Sequence, residues 1–463
     1  MALIQENPCF EEENFKEYGE GVRNLRFADG QLALEKMEER RMLLAALADR
    51  TEMGCKGTKP DVSRLSPGCA CCVAGQWSCL FINGLCNASC FYCPAPQKEE
   101  GMPVTQGLIF TSPDAYADYV EAFGFRGVGF SGGEPLLTPE RTLAHVRAVR
   151  ERLGNKVHLW MYTNGILVTR EILKALSHAG LDEIRFDIGA VNYSLEKPAM
   201  AAEIIPVVTI EIPAVPEEEA RLILKMPEMA AAGVRYLNLH QLRLTKHNFP
   251  KLARRNYTWI RDVHLTVMES EITALRLLRM ARDMDLPLGV NYCSFAFKHR
   301  FQQAALRRKT SPLGAFSDEK ITENGYLRQL TLEGGRAFLE EEALRLEKTG
   351  VDKESFRLTA MKDGLRVSTD IIPFLRRNFE SGKLLYSGVR LMNPETAPKG
   401  AKIMEMGPSC SLARMRLPGA APIEMGRETL NLCLDWFCNP DTGRLPEKAL
   451  AFECICPGLQ SYG

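Results

Sequence analysis

The feature that most constrains the fold is a regular alternation of short apolar runs and helix-compatible stretches, which begins near residue 78. Such an alternation is typical of repeated βα units and a parallel sheet. Two helix-compatible segments, 138–154 and 169–180, each end on a glycine that can adopt the left-handed backbone that terminates a helix. Six or seven units are predicted, with strands at 78–84, 127–132, 157–165, 182–189, 206–215, 234–242 and 287–295.

We therefore expect an α/β fold in which residues 78–299 form an open (β/α)6-type partial barrel. Residues 10–54 have the composition and apolar spacing of exposed helices, so residues 1–77 are predicted to be a helical N-terminal extension with a cysteine-rich segment. Beyond residue 300 the alternation stops, and short strand-like runs among polar turns predict antiparallel pairing. Residues 300–463 are thus expected to be a mixed α+β, cysteine-containing C-terminal domain, a candidate for binding an auxiliary cluster.

Composition and charge narrow the class of protein. The chain has 463 residues, 45% hydrophobic, and its 58 Lys plus Arg equal its 58 Asp plus Glu. This balance gives no global attraction to nucleic acid or to an anionic membrane. No stretch approaches the roughly 20 apolar residues that a bilayer requires, and the first residues lack the features of an export signal. A soluble, cytoplasmic protein is expected.

The cysteines are numerous and unevenly distributed. Of the fifteen, seven lie between residues 69 and 93 and five between residues 410 and 456. In a reducing compartment such a count favours metal or redox chemistry over disulfides. Cys9, Cys55 and Cys293 lie outside both groups and are interpreted as free thiols.

The strongest candidate site is the run Cys86-Asn-Ala-Ser-Cys90-Phe-Tyr-Cys93. It places three soft thiolates in eight residues directly after a predicted strand, on the loop where α/β barrels carry their chemistry. Three protein ligands leave one iron of a 4Fe-4S cluster open, so that the amino and carboxylate groups of S-adenosylmethionine (SAM) could chelate it. A zinc site or a structural iron-sulfur site is the alternative.

This C-x3-C-x2-C spacing resembles the signature of the radical SAM superfamily, and the resemblance extends over residues 78–295. It implies an enzyme that cleaves SAM reductively and forms a 5'-deoxyadenosyl radical. Segments at the ends of the second, third and sixth strands resemble the GGE, TNG and NxL-type motifs of that superfamily, although turn chemistry or core packing explains each nearly as well. The implied SAM-binding residues are Tyr92, Gly132, Gly133, Glu134, Asn164, Asn238, His240 and Gln241.

Three charged residues within the predicted strands require partners. Arg185 and Asp187 point to one face of the fourth strand, and Glu211 is the only ionisable group in the apolar fifth strand. Contact with the SAM ribose or with substrate is one interpretation. An internal salt bridge between Arg185 and Glu211 is the other.

The remaining cysteines are candidates for an auxiliary 4Fe-4S cluster. Cys69-x2-Cys72 has a spacing that a turn can close around a metal or cluster, and C-x4-C and C-x-C pairs occur near the end of the chain. Free thiols are the alternative. The candidate ligands are Cys69, Cys72, Cys79, Cys410, Cys433, Cys438, Cys454 and Cys456.

Two basic runs flank the last predicted strands, one of them Lys298-His299-Arg300. A solvated helix face is the simpler interpretation. If these residues converge at the mouth of the barrel, an anionic substrate is indicated.

Runs such as WSCLFINGLCNASCFYCP and GGEPLLTPERTL resemble a group of uncharacterised radical SAM proteins related to pyruvate formate-lyase activating enzymes. The resemblance implies SAM, a 4Fe-4S cluster and an electron donor such as flavodoxin or ferredoxin, with an unidentified substrate and no nucleic-acid partner. An activase that makes a glycyl radical on a protein, and a noncatalytic iron-sulfur or zinc protein, remain alternatives.

Overall fold

The computed structural model describes residues 8–392, 402–407, 410–416 and 421–462. The chain divides into two compact units. The first, here called the barrel unit, comprises residues 1–105, 109–302 and 457–463, and the second unit comprises residues 106–108 and 303–456. The segment expected to be an N-terminal extension is thus part of the barrel unit, as are the last seven residues. Among the described residues, no helix is long and apolar enough to span a membrane.

The barrel unit is built on seven parallel strands that lie side by side in chain order. The sheet is extended beyond its first strand by short antiparallel pairings, such as Phe81 with Val104, so it is an open sheet at that edge. The predicted α/β fold is confirmed. The strands are β1 Trp77–Leu85, β2 Gly127–Gly132, β3 His158–Thr163, β4 Glu183–Phe186, β5 Val207–Pro213, β6 Tyr236–His240 and β7 Gly289–Cys293.

Helices cover these strands, which is why the strands read as nearly continuous apolar runs rather than as alternating ones. All four residues of β4 are buried, for example. The two glycines predicted to end helices, Gly154 and Gly180, do adopt positive φ angles of 57° and 92°. The helices of this unit are Pro8–Tyr18, Gly30–Leu47, Pro67–Val73, Pro113–Ala122, Pro139–Leu153, Arg170–His178, Glu196–Ala202, Glu219–Ala231, Phe249–Leu252 and Met268–Asp283, with a π-helix at Phe297–Gln302.

The short helix Pro67–Val73, here called the plug helix, lies against the amino-terminal ends of the strands. Ser66 caps it by accepting a hydrogen bond from the Cys69 backbone N–H, and the Gly68 N–H donates to Glu183 Oε2 over 3.2 Å. A Cβ atom on Gly68 would lie 2.3 Å from the Arg185 guanidinium. The plug helix therefore reaches the buried polar residues of β4.

The N-terminal helices pack onto the barrel unit. Helix Gly30–Leu47 buries Leu43 and Leu47, and its Arg40 forms an ion pair of 2.9 Å with the fully buried Glu271 of helix Met268–Asp283. Beside them lies a three-stranded sheet of Arg26–Phe27, Thr258–Ile260 and Thr266–Val267. The helical prediction is correct, although one face of this segment is buried rather than exposed.

The second unit is an eight-stranded, mainly antiparallel sheet with helices Gln303–Thr310, Arg336–Lys348, Arg427–Cys438 and Glu447–Glu453. Its core is apolar and includes Leu332, Leu384 and Leu430. The mixed α+β architecture expected for this part of the chain is present. The strands are β8 Glu319–Ile321, β9 Leu327–Glu333, β10 Phe356–Leu358, β11 Gly364–Val367, β12 Ser381–Met392, β13 Lys402–Gly407, β14 Cys410–Arg416 and β15 Ile423–Gly426.

Candidate active site

The loop from Cys86 to Cys93, here called the cluster loop, leaves the carboxyl end of β1. All three of its cysteines are half-buried, and the Cys93 N–H donates to the Cys90 carbonyl over 3.2 Å. Burial, followed by the nearby Asp187, raises the pKa of Cys90 to about 11, and the other two cysteines add to the shift. The three cysteines lie within eight residues of one loop. Three soft donors on one loop fit the ligand set of an iron-sulfur cluster.

The end of β2 fixes the position of the cluster loop through backbone contacts. The Gly133 N–H donates to the Asn83 carbonyl over 2.9 Å, and the Glu134 N–H donates to the Leu85 carbonyl over 2.6 Å. A Cβ atom on Gly133 would lie 1.8 Å from the Leu85 carbonyl oxygen, and one on Gly132 would lie 2.3 Å from that of Asn83. These glycines are needed so that two backbones can approach each other.

Glu134 itself is fully buried, with its carboxylate directed into the protein. It accepts hydrogen bonds from the Leu136 N–H at 3.0 Å, the Thr163 hydroxyl at 2.9 Å and the Asn164 N–H at 2.7 Å. Burial raises its pKa, although these three donors oppose the shift. The carboxylate therefore ties the end of β2 to the end of β3.

Asn164 links β3 to the cluster loop. Its amide Nδ2 donates to Asn87 Oδ1 over 2.7 Å and lies 3.6 Å from Cys86 Sγ, while its Oδ1 accepts from the Ile166 N–H. The side chain is 7% exposed. Asn164 thus positions the first cysteine of the loop.

We expect Asn164→Ala to loosen the cluster loop, because the Asn87 carboxamide loses its partner. Loss of such a hydrogen bond costs about 1 kcal/mol of stability, and loss of an outer partner of a metal ligand lowers metal affinity roughly 10- to 100-fold. Iron content after anaerobic gel filtration measures the effect. Asn155→Ala, on an exposed turn of the same unit, is the matched control. Equal iron retention in the two variants would contradict this role.

Tyr92 anchors the other end of the cluster loop to β4. Its hydroxyl donates to Asp187 Oδ1 over 2.8 Å, and its carbonyl accepts from Asn248 Nδ2 over 3.2 Å. Asp187 also accepts from the Gly189 N–H, and burial raises its pKa to about 6. Two of the residues proposed to bind SAM, Tyr92 and Asp187, are thus paired with each other.

Arg185 lies in a buried ionic network. Its guanidinium is 2.8 Å from Glu183 and 2.8 Å from Glu211, and it donates to the Ser66 hydroxyl at the start of the plug helix over 3.1 Å. The internal salt bridge, one of the two interpretations of the sequence, is the arrangement found. Although burial opposes ionisation, Arg185 and then His240 hold the pKa of Glu211 well below its usual range.

The sixth strand completes this network. Asn238 stands opposite Glu211 in the register and donates to its Oε2 over 3.1 Å, and His240 Nε2 lies 2.6 Å from Glu211 Oε1. Gln241 is not part of this network; its Oε1 accepts a hydrogen bond from the Phe295 N–H over 3.1 Å. The structure thus unites Arg185, Glu211, Asn238 and His240, whereas Gln241 braces the chain after β7.

Sequence reasoning missed three side chains beside this network: Lys59, Cys293 and Lys298. Cys293 stands opposite His240 in the β6–β7 register, and the Lys298 ammonium is 2.5 Å from His240 Nδ1. The alignment of the predicted strands 234–242 and 287–295 was the one sequence signal that could have paired Cys293 with His240. Lys298 belongs to one of the two basic runs; it is half-buried, and its ammonium contacts His240.

The remaining cysteines fall into different environments. Cys69 of the plug helix is buried and accepts from Asn238 over 3.2 Å, and burial raises its pKa and those of Cys72 and Cys79, the last to about 12. These three belong with the plug helix and β1, not with the cluster loop. Within the described ranges, no group of three or more His, Cys, Asp or Glu side chains is arranged to hold a single metal ion.

In the second unit, Cys433 is fully buried among the leucines of the core, where burial raises its pKa to about 12. That is the environment of a packed thiol rather than of a ligand. Cys438 and Cys456 are exposed and Cys454 is half-buried. Cys410 begins β14, and its side chain lies outside the described residues.

The cluster loop lies within a segment that matches a known family. Residues 80–204 match the family described as the Radical SAM superfamily. A protein of Methanocaldococcus jannaschii, named provisionally as a glycyl-radical enzyme activating enzyme, is 30% identical over 313 residues, which are 65% of this chain and 82% of that protein. This chain belongs to the radical SAM superfamily. As a radical SAM enzyme it uses SAM and a 4Fe-4S cluster.

Other similarities are more limited. A GTP 3',8-cyclase of Corynebacterium glutamicum is 33% identical over 110 residues, which cover 23% of this chain and 29% of the cyclase. Among solved structures, methylornithine synthase matches with a TM-score of 0.34 at 13% identity, over 61% of this chain and 85% of that chain. A radical SAM methyltransferase of Kitasatospora setae matches with a TM-score of 0.28 at 15% identity, over 38% of this chain and 39% of that chain. These structural similarities are too low to support an argument about function.

Proposed function

We propose that Cys86, Cys90 and Cys93 hold the 4Fe-4S cluster of this radical SAM enzyme, and that the enzyme removes a hydrogen atom from a substrate bound at the carboxyl ends of the strands. The observation that carries the proposal is the cluster loop itself. The three cysteines follow the end of β1 on one loop, and Asn164 after β3, Asp187 after β4 and the Gly133–Glu134 backbone after β2 fix this loop and the strand end before it. When bound, the cluster supplies the electron that cleaves SAM.

The chain's own residues then orient the ligands. The strand ends of β2 to β6 face the same edge of the sheet as the cluster loop, which is where α/β barrels bind substrates. We propose that the backbone around Gly132 and Gly133 and the side chains of Asp187, Asn238 and His240 line the SAM site. Glu134 and Arg185 act as positioning residues, because each is saturated by protein partners.

An assay without substrate tests this function. The anaerobically reconstituted chain is expected to form 5'-deoxyadenosine and methionine from SAM when dithionite is added. Omission of dithionite should abolish both products, because the cleavage requires an electron. Absence of 5'-deoxyadenosine from a preparation that contains about eight irons per chain, enough for both proposed clusters, would contradict the proposal.

A second candidate is activation of a glycyl-radical protein, which the name of the M. jannaschii relative favours. Such an activase takes its hydrogen atom from a glycine of a protein partner. Incubation with a glycyl-radical protein of the same source would then produce the electron paramagnetic resonance doublet of a glycyl radical. The electron donor, flavodoxin or ferredoxin, and the cytoplasmic location stay predictions.

We also propose an auxiliary cluster in the second unit, where Cys438, Cys454 and Cys456 retain solvent access. The triple variant Cys86→Ala, Cys90→Ala, Cys93→Ala is then expected to retain about four irons after anaerobic reconstitution. Adding Cys454→Ala and Cys456→Ala should remove them. Iron and acid-labile sulfide analyses measure both. A triple variant without iron would show that these cysteines bind no cluster.

A further inference from the structure

A cluster of titratable groups lies at the carboxyl ends of β6 and β7, apart from the cluster loop. Cys293 ends β7 and His240 ends β6, and the two are paired in the register of these parallel strands. Behind His240 lies Glu211, at 2.6 Å from Nε2, and on its other side lies Lys298, at 2.5 Å from Nδ1. Both ring nitrogens of His240 are therefore occupied, one by a carboxylate and one by an ammonium, and the Cys293 thiol ends the neighbouring strand beside this charged group.

A second, independent observation is that the side chain of Lys59 is buried near this group. Its side chain is 1% exposed, and its ammonium lies 4.5 Å from the centroid of the Phe297 ring. In the part of the chain that the structure describes, neither Lys59 nor Lys298 forms an ion pair with a carboxylate. A buried ammonium requires a counter-charge, because its transfer from water is costly. Lys298 favours the ionised forms of both Glu211 and Cys293, and Lys59 favours that of Cys293.

The surroundings of Cys293 have opposing effects on its pKa. Burial alone would raise its pKa, but Lys59 and Lys298, together with the hydrogen bond to His240, lower the pKa to about 6. Two further thiols also lie close enough to interact with Cys293: Cys55 from the turn before Lys59, and Cys72 from the plug helix. Burial raises the pKa of each and so favours the neutral thiol, whereas the two lysines favour the ionised form of Cys293.

We propose that Cys293 is the acid–base group of the substrate site, which Lys59, Lys298 and the His240–Glu211 pair hold as a thiolate. The proposal rests on the proposed radical SAM function and narrows its substrate. The thiolate accepts a proton from a hydroxyl or amino group next to the carbon that loses its hydrogen atom. An S–H bond forms and the O–H or N–H bond breaks. Both electrons of the broken bond stay on the substrate, so no oxidant or reductant enters this step.

This role favours a small polar substrate, an alcohol or an amine, over a glycine in a protein. Removal of a hydrogen atom from a glycine Cα requires no proton acceptor. When the radical forms on a carbon next to a hydroxyl or amino group, in contrast, that group becomes more acidic than it was in the substrate. A group that titrates near the working pH is suited to accept such a proton and to return it. The proposed substrate class therefore depends on the proposed thiolate.

Alkylation of the full-length protein tests the ionisation of Cys293. The chain is treated anaerobically with iodoacetamide between pH 5 and pH 9, and peptide mapping gives the labelling rate of each cysteine. We expect half-maximal labelling of Cys293 at about pH 6, against about 8.5 for an ordinary thiol. Lys298→Met should move this midpoint upward by about one unit or more, since a nearby opposite charge shifts a pKa by that amount. A midpoint near 8.5 in the wild type, or no labelling of Cys293 at any pH, would overturn the proposal.

Protection by SAM tests the location. In the reconstituted enzyme without reductant, SAM is expected to slow the labelling of Cys293 at pH 7 several-fold and to leave unaffected the half-buried Cys71, which belongs to no proposed ligand set. Equal labelling of Cys293 with and without SAM would exclude it from the substrate site. The same preparation is assayed for 5'-deoxyadenosine, so that failure of the proposed function is seen separately. The pH titration of Cys293 requires no cluster and can be read in either case.

Discussion

The variants Cys86→Ala, Cys90→Ala and Cys93→Ala are each expected to lose dithionite-dependent formation of 5'-deoxyadenosine by more than about 100-fold. Each thiolate is one of only three proposed protein bonds to the cluster, and loss of even an outer partner of a metal ligand costs roughly 10- to 100-fold. The charge-transfer absorbance of the cluster should fall in parallel. Liquid chromatography of the nucleoside products and visible spectroscopy measure the two effects.

The matched control is Cys71→Ala. Cys71 is half-buried in the same unit and belongs to no proposed ligand set, and its thiol lies 3.6 Å from the Arg126 carbonyl, a long contact. This variant should retain both the cluster and the activity. Retained 5'-deoxyadenosine formation in any one of the three cluster-loop variants would show that the ligands have been misassigned.

The strands and the cluster loop could be predicted from the sequence because their signals are local. Each of the seven barrel strands was predicted within a few residues of its observed ends, since short apolar runs bounded by turn residues are characteristic of buried parallel strands. The three cysteines of the cluster loop are likewise close in sequence. Their placement after a strand follows from the position of β1 alone.

The partners of the charged residues could not be predicted in the same way, because they depend on contacts between distant segments. Arg185 meets Ser66, which lies 119 residues away, and Lys298 meets His240 across 58 residues. No local pattern encodes such pairs. The sequence offered two interpretations for Arg185, and only the geometry favoured the salt bridge. Cys293, interpreted as a free thiol from its isolation in the sequence, is a free thiol, and the role proposed for it depends on Lys59, which lies far away in the chain.

The resemblance to the GGE motif explains only part of why position 133 is a glycine. As part of a GGE motif, Gly133 is implied to approach SAM, so that a larger residue would weaken SAM binding alone. In the structure, the space that a side chain would need is occupied by the backbone of Leu85, the residue before Cys86. A substitution is therefore expected to act on the cluster as well as on SAM.

Gly133→Ala is accordingly expected to destabilise the protein and to lower its iron content. The new Cβ would lie 1.8 Å from the Leu85 carbonyl oxygen and 2.3 Å from the Leu85 carbonyl carbon. Because these are backbone atoms, no side-chain rotation relieves the overlap, and either β1 or β2 must move. Overpacking of this kind costs about 3 kcal/mol or more of the free energy of unfolding. The movement also displaces Cys86 and breaks the bond from the Glu134 N–H to the Leu85 carbonyl.

Three measurements separate this explanation from a role in SAM binding alone. Gly30→Ala is the control, since a Cβ at the first turn of helix Gly30–Leu47 meets no atom within 4 Å and the φ angle there is ordinary. Denaturant unfolding, iron content and SAM affinity are compared for the two variants and the wild type. We expect Gly133→Ala to lose stability and iron together with SAM affinity, and Gly30→Ala to lose none of them. If Gly133→Ala kept its stability and its full iron content but bound SAM more weakly, the glycine would serve the ligand, and the contact between β1 and β2 would not be the reason for it.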